Sequence, residues 1–120
     1  MIDVVNLTKK FSLIDEQWDP KIIAQLNDYH LKIAKIEGEF VWHSHQETDE
    51  MFLVVDGALD IHLRDGHLHL EQGELCVIPK GVEHKPAALK ECWILMAEPA
   101  GTLNTGDAGG EMTVAETSWI

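Results

Sequence analysis

Between residues 30 and 97 the chain is a succession of short apolar runs, each cut off by a glycine or an Asp-Gly pair, and that punctuation leaves room for strands rather than long helices. The pattern predicts strands near 30–36, 39–45, 50–55, 59–63, 67–70, 75–78, 83–88 and 92–97, separated by Gly38, Asp56-Gly57, Asp65-Gly66, Gly73 and Gly81. Asp65-Gly66, set between Ile61–Arg64 and His67–Leu70, reads as a two-residue hairpin turn with positive φ at both positions. Short strands at this spacing build an all-β sandwich or jelly roll. One short N-terminal helix of roughly seven to nine residues is expected from Asp19 as N-cap, Pro20 at the first position and an apolar stripe of Ile22, Ile23 and Leu26, stopped by Asn27-Asp28.

Length and charge narrow the possibilities. With 120 residues, 45% of them hydrophobic, the chain can bury one core but not two, so a single domain over 1–120 is expected: an arm and short helix at 1–29, a barrel at 30–97 and a tail at 98–120. Its 21 acidic and 9 basic side chains give a net charge of −12, which repels nucleic acid and anionic membranes. No basic stretch leads into an apolar run at the N-terminus, and no segment approaches the roughly 18 apolar residues of a membrane span, so a cytoplasmic protein is expected. Cys76 and Cys92 sit in apolar runs, read as small buried hydrophobes rather than a disulfide or redox pair.

The chemistry concentrates in two places. His43-Ser44-His45 is followed by Glu50, and Gly73 by Pro79-Lys80-Gly81 and His84. Side chains two apart on a strand share a face, so His43 and His45 can grip one ion, and the polar segment Gln46–Asp49 is long enough to bring Glu50 alongside them. His84 joins from elsewhere in the fold. If the two histidines and Glu50 point inward, Val41, Phe52 and Val54 do too, and the metal lies at the bottom of a mostly apolar cavity.

These spacings resemble the two motifs of the cupin superfamily. The first runs from Gly38 through His43, His45 and Glu50 to Gly57, with four residues rather than five between Gly38 and His43. The second runs from Gly73 through Pro79, Gly81 and His84 to Ala88, where the family has asparagine. The segments Trp18–Ile22 and Glu98–Asp107 look like those of small stand-alone bacterial cupins, often labelled mannose-6-phosphate isomerase-like. The resemblance implies a cupin double-stranded β-helix, or jelly-roll barrel, and a three-histidine, one-glutamate metal site made of His43, His45, Glu50 and His84.

Imidazole and carboxylate ligands suit Fe, Mn, Co, Ni, Cu or Zn, and four protein ligands leave open positions on an ion that prefers five or six. The expected function is a small metalloenzyme, of dioxygenase or isomerase type, acting on a small molecule in the barrel. The alternative is a binding or sensor protein without turnover. A sugar-phosphate isomerase would need cations for the phosphate, whereas the chain offers Arg64, its one arginine, with Lys80 and Lys85 near His84. No general base outside the ligand set stands out, although Glu39, Glu47, Asp49 and Glu83 lie near the motifs.

Apolar bulk on the other face, at Trp42, Met51, Leu53 and Val55, calls for cover from the N-terminal helix or a second subunit, and a homodimer is expected. His62, His67 and His69 read as solvent-facing strand residues rather than a second metal site, and His30 as isolated. Leu103–Gly110 reads as a mobile surface loop, with a lid over the cavity mouth as the alternative.

Overall fold

The computed structural model describes residues 2–120. A helix and eight strands follow in chain order: α1 (Leu7–Phe11), β1 (Lys21–Leu26), β2 (Tyr29–Glu39), β3 (Glu50–Asp56), β4 (Ala58–Leu63), β5 (Gly66–Glu71), β6 (Leu75–Ile78), β7 (His84–Pro99) and β8 (Ser118–Trp119). All strands belong to one curled, unclosed sheet in the order β5-β4-β7-β2-β1-β8, with β3 paired to β7 and β6 to β3. No helix of the described residues is long and apolar enough to cross a membrane.

The 16-residue β7 organises the sheet. Along one edge it pairs with β2 for most of its length, while along the other it pairs first with β4 (His84–Ala87) and then with β3 (Trp93–Ala97). Changing partner bends the strand, and Leu89, Lys90 and Glu91 between the two stretches point to solvent. The strands expected at 83–88 and 92–97 are therefore one. Two cores result, one on each face of the sheet. Inside the curl lie Ala34, Ile36, Phe52, Val54, Leu59, Ile61, Ile94 and Met96; outside it Phe11, Ile14, Ile23 and Ile33 pack with Val55, Trp93 and Leu95. β3 shows the alternation directly, with Glu50, Phe52 and Val54 buried and Met51, Leu53 and Val55 half-buried.

Three local expectations are corrected. The segment expected to be helical from Pro20 is the strand β1, because Ile22 and Ile23 bury on opposite faces and Asn27-Asp28 is a hairpin turn, with Asn27 at φ 55°, that returns the chain antiparallel as β2. The short helix lies earlier, at α1, where the Asn6 side chain accepts from the Lys9 amide at 2.9 Å and Phe11 buries against Trp93 with ring centroids 4.7 Å apart. The 39–45 strand reduces to a single bridge between His43 and His84, since β2 ends at Glu39. In the β4–β5 hairpin the turn is Arg64-Asp65, one residue earlier than expected and without positive φ, and Leu63 pairs with Gly66. That register sets Leu59 opposite Leu70, burying both, which outweighs the turn preference.

Candidate metal centre

His43, Ser44 and His45 form an extended stretch tied to the start of β7: the His43 and His84 backbones exchange hydrogen bonds of 3.0 and 2.9 Å. Glu50 opens β3 opposite Ile78 of β6, six residues before His84, and in the segment between them the Gly81 amide donates to the His45 carbonyl at 2.9 Å, which brings the three histidines and Glu50 together. The four side chains expected as ligands, His43, His45, Glu50 and His84, are all buried, and one donor atom from each lies within 4.8 Å of the others. The alternation expected of H-x-H survives although the segment is not a regular strand.

Hydrogen bonding fixes which nitrogens face inward. The Nδ1 atoms of His43 and His84 lie 2.9 Å from the Val41 and Val82 carbonyl oxygens, and since a carbonyl only accepts, each Nδ1 carries the proton. In the neutral imidazole the Nε2 lone pair is then turned toward the cluster. For His84 that atom sits 3.3 Å from Glu50 Oε1, so lone pair faces lone pair unless a cation lies between them or the ring takes a second proton. His45 Nε2 is also 3.3 Å from Glu50 Oε1, yet it has no hydrogen bond of acceptable geometry and is completely buried. Three imidazoles packed this closely, with His43 and His84 ring centroids 4.3 Å apart, repel one another when protonated. Burial pushes His43 down to about 4, against the opposing pull of the Val41 carbonyl. Burial alone would raise Glu50, but the His45 and His84 rings against it outweigh that and hold its carboxyl well below the usual range. Three imidazoles, one of them with an orphaned buried nitrogen, and a carboxylate make a donor set that suits a divalent transition ion.

The cluster opens onto a narrow cavity with about 440 Å³ of empty space, its open mouth included, inside the curl. Its walls are apolar, with Trp18 stacked on Phe40 (centroids 4.8 Å apart), Phe52, Ile94 and Met96, and among its lining residues none is lysine or arginine. The cationic side chains considered for a phosphate point elsewhere. Arg64 lies 3.8 Å over the Trp42 ring and pairs with Glu83, and Lys85 pairs with Glu39.

One ionisable cavity residue escaped the sequence reading. Glu98, next to last on β7, is two positions beyond Met96 and four beyond Ile94, so it faces inward with them. A carboxylate in phase with buried apolar residues was the available signal. It is 2% exposed and paired at 2.9 Å with Lys32, itself buried, whose ammonium also donates to the Thr102 carbonyl at 3.1 Å. Burial, followed by the neighbouring Glu50, pushes the Glu98 carboxyl well above the usual range, with Lys32 opposing.

The segment Leu103–Gly110 is fastened to the ligand loop. Asp107 accepts from the Ser44 amide at 2.9 Å and from its hydroxyl at 3.0 Å, Thr105 is buried, and Asn104 lines the cavity. Gly106, at φ +53°, packs so tightly that a Cβ there would fall 2.2 Å from the Ser44 carbonyl oxygen. On the β4–β5 hairpin His67 and His69 are exposed, as expected, and His69 bridges Asp60 and Glu71 at 2.7 and 3.0 Å. His30 contacts the Trp119 ring edge-on.

Curled sheet and buried histidine–glutamate cluster together define a cupin domain. The Cupin domain family matches residues 29–96, more than half of the chain, and the chain belongs to that family. Among solved structures, a cupin-2 domain protein of Shewanella frigidimarina is 54% identical and superposes with a TM-score of 0.79, covering 80% of this chain and 94% of that one. The uncharacterized protein YdbB of Bacillus subtilis is 36% identical over 64 residues, 52% of this chain and 57% of that protein, so the match spans little more than half of that relative. Hydroquinone 1,2-dioxygenase of Sphingomonas sp. TTNP3, solved with 4-hydroxybenzoate bound, shares the fold at 20% identity and a TM-score of 0.70, over 82% of this chain and 32% of that one.

Proposed function

We propose that this cupin is a metal-dependent enzyme in which His43, His45, Glu50 and His84 hold one divalent transition ion, Fe, Mn, Zn, Ni or Cu, beside an uncharged small molecule in the barrel cavity. The observation that carries the reading is His45 Nε2, buried in the cluster with no hydrogen-bond partner. An unpaired buried nitrogen costs on the order of 1–3 kcal/mol, which an ion offsets. When bound, the ion supplies Lewis acidity or redox capacity at the cavity floor. Val41 and Val82 orient the rings of His43 and His84, while Phe52, Ile94 and Met96 exclude water around the reacting molecule.

A dioxygenase-type reaction suits the aromatic, cation-free lining better than an isomerase acting on a sugar phosphate. Free thiols at Cys76 and Cys92 agree with a reducing compartment, and we assign the protein to the cytoplasm. We also propose a homodimer formed through the outer face of β6 and β3. There Leu75 lies opposite Leu53 and Val77 opposite Met51, with Leu75 59% and Val77 53% exposed, whereas α1 covers only the Val55–Trp93 end.

Elemental analysis of the untagged protein, beside folded His43→Ala and His84→Ala variants checked by circular dichroism, tests the site. Near-stoichiometric metal that is lost from both variants is the expected result. Wild-type protein that neither carries nor takes up any of those ions rules the reading out. Oxygen consumption and metal-dependent conversion across catechols, β-diketones, keto acids and sugar phosphates then separate the reaction types, and tight binding without conversion identifies a binding protein instead.

A further inference from the structure

We infer that Glu98 is the specificity-determining group of the cavity and that it selects a flat, uncharged ring bearing a hydroxyl. The inference rests on the reading above that the cavity holds a small molecule, and adds which molecule and which residue reads it. Glu98 is one of few polar groups on a wall otherwise made of Trp18, Phe40, Phe52, Ile94 and Met96, and it is not one of the four clustered metal-type donors. Its two oxygens are used unequally. Oε1 accepts from Lys32, whereas Oε2 is completely buried and has no hydrogen-bond partner.

A buried carboxyl oxygen without a donor is destabilising, and a ligand hydroxyl would satisfy it. That oxygen keeps an accepting lone pair whether or not the carboxyl is ionised. Lys32 fixes the side chain through a second bond to the Thr102 carbonyl, so the acceptor is held in position before any ligand arrives. The same ion pair rejects anions. The Lys32 ammonium is committed to Glu98 and Thr102, no lysine or arginine lines the cavity, and an incoming carboxylate or phosphate would meet Glu98 and Glu50. Stacked aromatic walls in a narrow slot fit a flat ring rather than a puckered sugar. A site built to bond a hydroxyl discriminates strongly against the analogue that lacks it, because the buried acceptor is then left unpaired.

The test is calorimetric titration of the 120-residue protein, both metal-free and zinc-loaded, with phenol and with anisole, in which a methyl group replaces the hydroxyl hydrogen. Wild type should favour phenol by about tenfold or more, the size expected for a hydrogen bond to a buried carboxyl. Glu98→Gln, whose amide oxygen can keep Lys32 while its NH₂ turns to the cavity, should lose most of that preference. Lys32→Met/Glu98→Leu, which replaces the pair by side chains of similar volume, should bind anisole about as well as wild type and show no preference for phenol. Equal affinity for the two rings in wild type, or a preference that survives in both variants, overturns the inference. Absence of saturable binding by either ring overturns it too, and because metal content is measured separately, that result leaves the metal centre standing.

Discussion

Lys32 and Glu98 are each 2% exposed, and a pair so deeply buried is held by mutual neutralisation rather than by net gain. Lys32→Met should therefore destabilise by about 3–5 kcal/mol near neutral pH, the typical loss when one partner of a buried pair is removed. The deficit should shrink as pH falls and Glu98 takes a proton, and much of it should return in Lys32→Met/Glu98→Leu; urea denaturation of the three proteins at two pH values reads all of this. On the surface, the hydrogen bonds that His69 donates to Asp60 and then to Glu71 raise it above its ordinary value. The stabilisation is fully present below the unfolded-state value of about 6.5 and disappears as pH rises through the raised folded value. NMR titration should find His69 titrating above that reference and falling back toward it in Asp60→Asn, with no such movement for the other histidines. Glu98 was legible in principle, through its phase with Ile94 and Met96, but pattern alone does not separate a buried carboxylate from one at a strand end that has turned to solvent.

Among the elements, the loop after β7 decides how firmly the ligand segment is held. Asp107 and Gly106 clamp Ser44 between His43 and His45, so the loop acts on the site through the backbone of the two proposed ligands. Gly106→Ala combines a positive φ with a Cβ 2.2 Å from a carbonyl oxygen, and the two segments must part. Expected outcomes are a loss of about 1–3 kcal/mol in stability and weaker metal retention under a chelator. Unchanged retention would show that the loop merely rests on the site. Sequence composition, rich in Gly, Asn, Asp and Thr, is that of a loop, but it carries no sign that Asp107 bonds back to a residue 63 positions earlier. The β1 segment shows the same limit. Three isoleucines and leucines before Asn27-Asp28 satisfy a helical stripe and a hairpin arm alike, and pairing with β2 decided between them.

At the scale of the whole molecule, one face of the sheet is only partly covered. The N-terminal arm lays Phe11 and Ile14 over Val55, Trp93 and Leu95, and the Lys10 ammonium donates to the Ile120 carbonyl at 2.7 Å, drawing both ends of the chain to that side. Met51, Leu53, Leu75 and Val77 remain outside this cover, on strands ending at the free edge of β6. Sedimentation at micromolar concentration should give about twice the 13.5 kDa chain mass, and Leu75→Glu/Val77→Lys should return it to the monomer. A wild-type species at the chain mass would assign that face to some other role.

By itself the sequence determined the all-β class, because glycine and Asp-Gly punctuation cuts most of residues 30–81 into runs of strand length, and it determined the four clustered donors, because two motifs set their spacing. Those are local properties: period-two alternation and turn chemistry act within a few residues. The merging of two expected strands into β7, the turn register at Arg64-Asp65, the pinning of Ser44 by Asp107 and the Lys32–Glu98 pair were decided by the tertiary structure. Each depends on contact between segments whose pairing energy appears only when the sheet curls and buries them together.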